Sequence, residues 1–190
     1  MTFNVTSAIA WAWYALGALW LFGFFFVKPT IRWQSAGSRL FNLAVALLGF
    51  VIFGADWFDQ GWLAARFVPA VREAQFAGFA FTVTGVIFAA WARLTLGGNW
   101  SGRATVKASH ELIVKGPYAI VRHPIYTGLL LALAGTGLDM GQWRAIVGFV
   151  LIFVALACKM AQEEQLMMQT FPEAYPLYRQ NVKALIPGVL

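Results

Sequence analysis

An all-α integral membrane fold with five transmembrane helices is what the sequence predicts, on three observations. Of the 190 residues, 60% are hydrophobic and only 12% are charged, more apolar surface than one soluble domain of this length can bury. The apolar residues fall into five runs, at 7–27, 40–58, 74–96, 124–138 and 143–160. Lys and Arg cluster in alternate connections between those runs. Together the runs and their connections use nearly the whole chain, so one membrane domain over residues 1–190 is expected.

The first run carries Trp11, Trp13, Tyr14 and Trp20 and ends at Lys28-Pro29, where a helix stops at an interface. It is longer than a secretory signal core, and Met1 to Thr6 lack the positive charge that such a signal needs. The second run follows Arg32 and Arg39 and contains Gly49, Gly54 and, near its end, Asp56. After a connection with Trp62 and Pro69, the third run closes near Arg93. The fourth is short, since fifteen residues rise about 22 Å at 1.5 Å each against a hydrocarbon core of about 30 Å. Gly135, Gly137, Asp139 and Gly141 are expected to break it, and the fifth run then returns as the second arm of a helical hairpin. Pro172, Pro176 and Pro187 are expected to keep the tail from extending that arm by more than its first turns.

Eleven basic residues lie after the first, third and fifth runs, and the other three (Arg66, Arg72, Arg144) lie in the alternate connections. The positive-inside rule therefore puts the N-terminus outside and the C-terminus in the cytoplasm. A net charge of +6 held between apolar runs attracts anionic head groups and argues against nucleic acid as partner. The single Cys158 excludes an internal disulfide. Two histidines without HExxH spacing give no zinc site.

Polar chemistry gathers in two segments, 97–123 and 161–190, both assigned to the cytoplasmic face. In the first, Gly116-Pro117-Tyr118 reads as a turn, and Pro124 suits the first position of a helix. His123 then stands at the N-cap, where free backbone N–H groups beside Arg122 favour a carboxylate or phosphate. Gly128, one turn in, leaves room for a ligand or for a neighbouring helix. On spacing alone, Arg122 and His123 fit equally well as a snorkelling cation and a helix cap. In the second segment, Glu163 and Glu164 leave the last span about 100° apart around the helix, so at most one faces a central pocket well. Phe171, Tyr175, Tyr178 and Leu185 can pack as an amphipathic cover.

At these residues the chain resembles the isoprenylcysteine carboxyl methyltransferase family, within the small membrane methyltransferases that include phospholipid N-methyltransferases. The matching stretches are Asn99-Trp100-Ser101, 110–118, 121–128, Glu163-Glu164, and Phe171, Tyr175, Tyr178 and 185–187. The resemblance implies S-adenosyl-L-methionine as cofactor, bound by His110, Leu112, Val114, Gly116, Pro117, Tyr118, Arg122, His123, Tyr126, Gly128, Glu163 and Glu164. It implies catalytic roles for Glu163, Glu164 and Arg179, of which Arg179 stands nearest to a tail arginine that meets the substrate carboxylate in relatives. It further implies a lipophilic or lipidated acceptor reached from the bilayer and, for a chain of this size, a bacterial inner membrane. The acceptor group stays open among carboxylate, amine and thiol, and so does the oligomeric state. Two other readings are a membrane reductase of the sterol-reductase type using NADPH and a membrane scaffold without catalysis.

Overall fold

The computed structural model describes residues 4–26, 30–33, 36–100, 105–107 and 111–189. Five long helices occupy the positions of the five apolar runs: α1 (Val5–Phe24), α2 (Ala36–Gly54), α4 (Arg72–Leu96), α5 (Pro124–Met140) and α6 (Trp143–Thr170). Two short helices accompany them, α3 (Gly61–Ala64) between α2 and α4, and α7 (Ala174–Asn181) after α6. By length and composition, α1, α4 and α6 are long and apolar enough to cross a membrane. The stop expected at Lys28-Pro29 lies outside the described residues.

Small residues explain which helices touch. α5 packs chiefly on α4, and α6 chiefly on α2. A Cβ on Gly78 would meet the Gly135 carbonyl at 2.6 Å, one on Gly128 the Ala89 amide at 2.6 Å, and one on Gly148 the Gly49 carbonyl at 2.6 Å. Backbone therefore lies on backbone at these crossings, the arrangement that small-residue stripes permit in membrane helices. α1 joins this core through three polar ties along its length. The Thr6 hydroxyl donates to Asp139 Oδ2 (3.1 Å), the Trp13 indole to Thr136 Oγ1 (3.0 Å), and Arg93 Nη2 to the Gly23 carbonyl (2.7 Å).

The structure corrects the sequence reading in two places. Gly135, Gly137 and Asp139 do not break α5, which runs to Met140 and stops at Gly141 with φ 62° in the left-handed region. Gly135 instead admits α4, since its Cβ would meet the Gly78 carbonyl at 2.5 Å. α6 runs ten residues past the predicted end of its span, to Thr170. The segment 161–170 holds no proline or glycine and is rich in Glu, Gln, Leu and Met, which favour helix; the first breaker is Pro172. The fold class is all-α as expected; beside the helices, a minor pairing joins β1 (Thr30–Trp33) antiparallel to β2 (Thr105–Lys107), each of which opens on two adjacent β-branched residues.

The extension of α6 positions the polar residues. At 1.5 Å per residue its 28 residues rise about 42 Å, so the helix carries Gln162, Glu163 and Glu164 past its apolar stretch, beside the start of α5.

Candidate functional site

α5 begins where the sequence placed it. A 3₁₀ turn over Gly116–Ala119, with Gly116 at φ 60° and Pro117 in its first positions, leads through Val121 into α5 at Pro124. Val121 is fully buried and bridges in parallel to Lys183 of the tail. That bridge supplies acceptors for the two amides before the helix: Arg122 N–H donates to the Lys183 carbonyl (2.8 Å) and His123 N–H to the Ala184 carbonyl (3.0 Å). These amides, expected to be free for an anion, are taken by the tail. Past Pro124, which has no N–H, the amides of Ile125 and Tyr126 find no backbone acceptor among the described residues, as the first turn of a helix requires.

Around this end, side chains from α5, α6 and the tail converge. Arg122 directs Nε (2.9 Å) and Nη2 (2.7 Å) to a single oxygen, Glu164 Oε1, and Nη1 to the carbonyls of Arg179 (3.2 Å) and Val182. His123 Nε2 lies 3.2 Å from the same Glu164 oxygen, and Nδ1 lies 3.7 Å from Glu163 Oε2. Arg179 Nε stands 3.4 Å from Glu164 Oε2. The Tyr126 hydroxyl donates to Glu163 Oε1 at 2.7 Å, and its ring stacks on His123 with centroids 5.6 Å apart and planes 12° from parallel. Both acids thus face the α5 end, each meeting a different set of partners.

The tail is fastened over the site at two further points. The Thr127 hydroxyl donates to the Leu185 carbonyl (2.8 Å), and the Tyr178 hydroxyl to the Tyr118 carbonyl (2.6 Å). Tyr175 and Tyr178 meet edge to face. Burial pushes the Tyr178 phenol up to about 12, with nearby Glu164 adding to the shift and Arg122 opposing it. Tyr118 and Tyr175 shift upward for the same first reason. These phenols stay neutral hydrogen-bond donors at any physiological pH.

Not every expected residue joins the cluster. Pro117 and Tyr118 are buried beneath it, but the space beside Gly128 is filled by α4, which decides between the two roles its position left open. Gly116 faces Thr95 and Trp91 on α4, and Val114 is exposed. Leu112 is half-buried, while its neighbour Ile113 packs onto the apolar cluster of Tyr118, Tyr126 and Met160. His110 and Ser101 lie outside the described residues. Arg179 reaches Glu164 but keeps about half its side chain, 53%, in the open.

Lys159 belongs to the site although the sequence reading counted it only as a topogenic charge. It sits one helical turn before Glu163, with Nζ 3.9 Å from Glu163 Oε1 and 5.4 Å from the Tyr126 ring centre. Its i,i+4 relation to Glu163 on a continuing helix was the available signal, hidden by the expectation that α6 ends at residue 160.

This convergence coincides with the segment shared with known proteins. A model of the isoprenylcysteine carboxyl methyltransferase family matches residues 78–169, from α4 through both site glutamates. Over this segment the chain resembles the isoprenylcysteine carboxyl methyltransferase family. Protein-S-isoprenylcysteine O-methyltransferase B of Arabidopsis thaliana is 28% identical over 115 residues, covering 59% of this chain and 58% of the plant protein. Protein-S-isoprenylcysteine O-methyltransferase of Dictyostelium discoideum is 26% identical over 157 residues, covering 80% of this chain and 62% of the relative. The chain thus spans about six tenths of the length of these two relatives. The cobalt-zinc-cadmium resistance protein CzcN of Cupriavidus metallidurans is 24% identical over 143 residues, 74% of this chain and 58% of CzcN. This family likeness and three apolar helices of spanning length support an integral membrane protein.

Proposed function

We propose that this chain is an S-adenosylmethionine-dependent methyltransferase acting on a lipophilic acceptor at the cytoplasmic face of a bacterial inner membrane. In this reading α1, α2, α4, α5 and α6 all cross the bilayer, with the N-terminus outside. The observation that carries the proposal is the meeting of His123 and Tyr126, on the first turn of α5, with Glu163 and Glu164, on the extension of α6. The family match over the same residues supports it.

The donor set fits the cofactor. Its methionine ammonium and ribose hydroxyls need acceptors, which the glutamates provide. Its carboxylate needs N–H donors, which the Ile125 and Tyr126 amides provide at a positive helix end. The parallel His123 and Tyr126 rings and the apolar cluster beneath them suit a flat heterocycle. When bound, S-adenosylmethionine supplies an electrophilic methyl carbon on a cationic sulfur.

The chain's own part is positioning. Glu163 and the α5 amides fix the donor; the tail, held by Tyr178 and Thr127, shields the site from water. The acceptor approaches from the bilayer past α5 and α6, and Arg179, half open at the rim, meets its polar group. A carboxylate or thiolate acceptor needs no general base in such a site, because it brings its own electron pair.

The test is methyl transfer. Purified protein in bilayer nanodiscs, given S-adenosylmethionine with a labelled methyl group and a membrane lipid extract, is expected to yield an organic-soluble labelled product. No product with any lipid or lipidated-peptide fraction, together with stabilisation by NADPH and not by S-adenosylhomocysteine, would select a reductase instead.

A further inference from the structure

The two adjacent glutamates have unequal surroundings. Glu164 is 14% exposed and saturated: Oε1 receives Arg122 twice and lies against His123, while Oε2 faces Arg179. Arg122, 9% exposed, spends its remaining nitrogen on two carbonyls of the tail. Glu163 is 22% exposed. Among the described residues it holds one close hydrogen bond, from Tyr126, while its contacts to His123 and Lys159 at 3.7 and 3.9 Å are longer than hydrogen bonds.

We infer that the pair divides its labour: Glu164 with Arg122 is an internal clamp that fixes the tail on the α5 start, and Glu163 is the carboxylate that receives the ligand's ammonium or hydroxyl groups. Arg122 is on this account a positioning residue rather than a ligand of the donor. A ligand group at Glu164 would have to displace a guanidinium making two bonds, leaving a buried charge unpaired. One at Glu163 needs only to replace long contacts at the partly open oxygen. The inference deepens the proposed function and, for its ligand half, rests on that reading; the clamp half does not.

Hydrogen exchange of the full chain in detergent, followed at the peptide containing residues 182–187, separates the two roles. Without ligand, Glu164→Gln and Arg122→Lys are expected to exchange that peptide at least about tenfold faster than wild type. Glu163→Gln should stay within about twofold, since it breaks no contact with the tail. Calorimetry with S-adenosylhomocysteine is expected to show at least about tenfold weaker binding in Glu163→Gln. Saturating S-adenosylhomocysteine should also restore tail protection in Glu164→Gln, as it would not for damage remote from the site.

Arg122→Lys keeps a charge for Glu164 but cannot reproduce the planar fork, so it reports on the clamp if Glu164→Gln fails to fold. A tail that loosens equally in Glu163→Gln, or stays protected in both clamp variants, overturns the division. So does Glu163→Gln binding S-adenosylhomocysteine as wild type does. Wild-type protein that binds none overturns the methyltransferase reading, while the exchange data still decide the clamp.

Discussion

The Tyr126 hydroxyl and the Glu163 carboxylate, one turn into α5 and 37 residues later on α6, meet across 2.7 Å. That contact joins the short helix to the extended one at the point where both turn polar, and it aims Glu163 at the α5 start. Tyr126→Phe keeps the ring stack on His123 and removes only this hydrogen bond. It is expected to weaken S-adenosylhomocysteine binding by about tenfold, the effect of one hydrogen bond to a charged group. Calorimetry in detergent checks it, and affinity unchanged within twofold would remove Tyr126 from the site's architecture.

Close packing between α4 and α5 predicts a steric effect on stability that needs no ligand. Gly128→Leu places its side chain against the Ala89 amide, already 2.6 Å from an ideal Cβ, whereas Gly17→Ala has nothing within 4 Å. The first should lower stability by about 1–3 kcal/mol; the second should be neutral or slightly stabilising. Thermal unfolding of both variants in one detergent gives the comparison, and equal melting temperatures would contradict the crossing described here.

How far the sequence could be read depended on the range of the interaction. Apolar runs located all five long helices because apolar composition is a property of each run by itself. Glu163, Glu164, Arg122 and His123 were legible as one group because residue type and topology put them on the same face. What escaped depended on contacts between distant segments: the tail carbonyls of Lys183 and Ala184 that take the Arg122 and His123 amides, the pairing of β1 with β2, and the use of Gly128 by α4. Lys159 escaped for a local reason, a helix end placed ten residues early.

The tail latch predicts a signed pH response. Burial raises the Tyr178 phenol from 10.0 to about 12 in the folded protein. Its contribution is therefore complete below about pH 10 and is lost as pH rises toward 12. Tail protection in wild type should fall across that alkaline window. Tyr178→Phe, which cannot donate to the Tyr118 carbonyl, should be less stable by about 1 kcal/mol at neutral pH and lose less between pH 10 and 12. Exchange of residues 182–187 against pH checks this, and parallel curves for the two proteins would show that another group governs the loss.

Arg93 predicts how α1 is held. Buried to 4% exposure, it donates to the Gly23 carbonyl of α1 and the Gly97 carbonyl closing α4, and its guanidinium lies 4.5 Å from the Trp100 ring centre. Arg93→Leu leaves both carbonyls without this donor and should cost about 2–4 kcal/mol. Cysteine-accessibility labelling at Leu16→Cys, where α1 is buried against Val86 and Ala89 of α4, is expected to rise in the Arg93→Leu background. Unchanged labelling and melting temperature would mean that α1 is held by its other contacts.

Calorimetric titration of the full chain with S-adenosylhomocysteine, wild type beside Glu163→Gln, tests the central claim most directly. The account predicts one site on wild type with micromolar affinity, about 8 kcal/mol of binding free energy, and a loss of at least about tenfold in the variant. Heat indistinguishable from buffer at millimolar ligand, or identical isotherms for the two proteins, would contradict it.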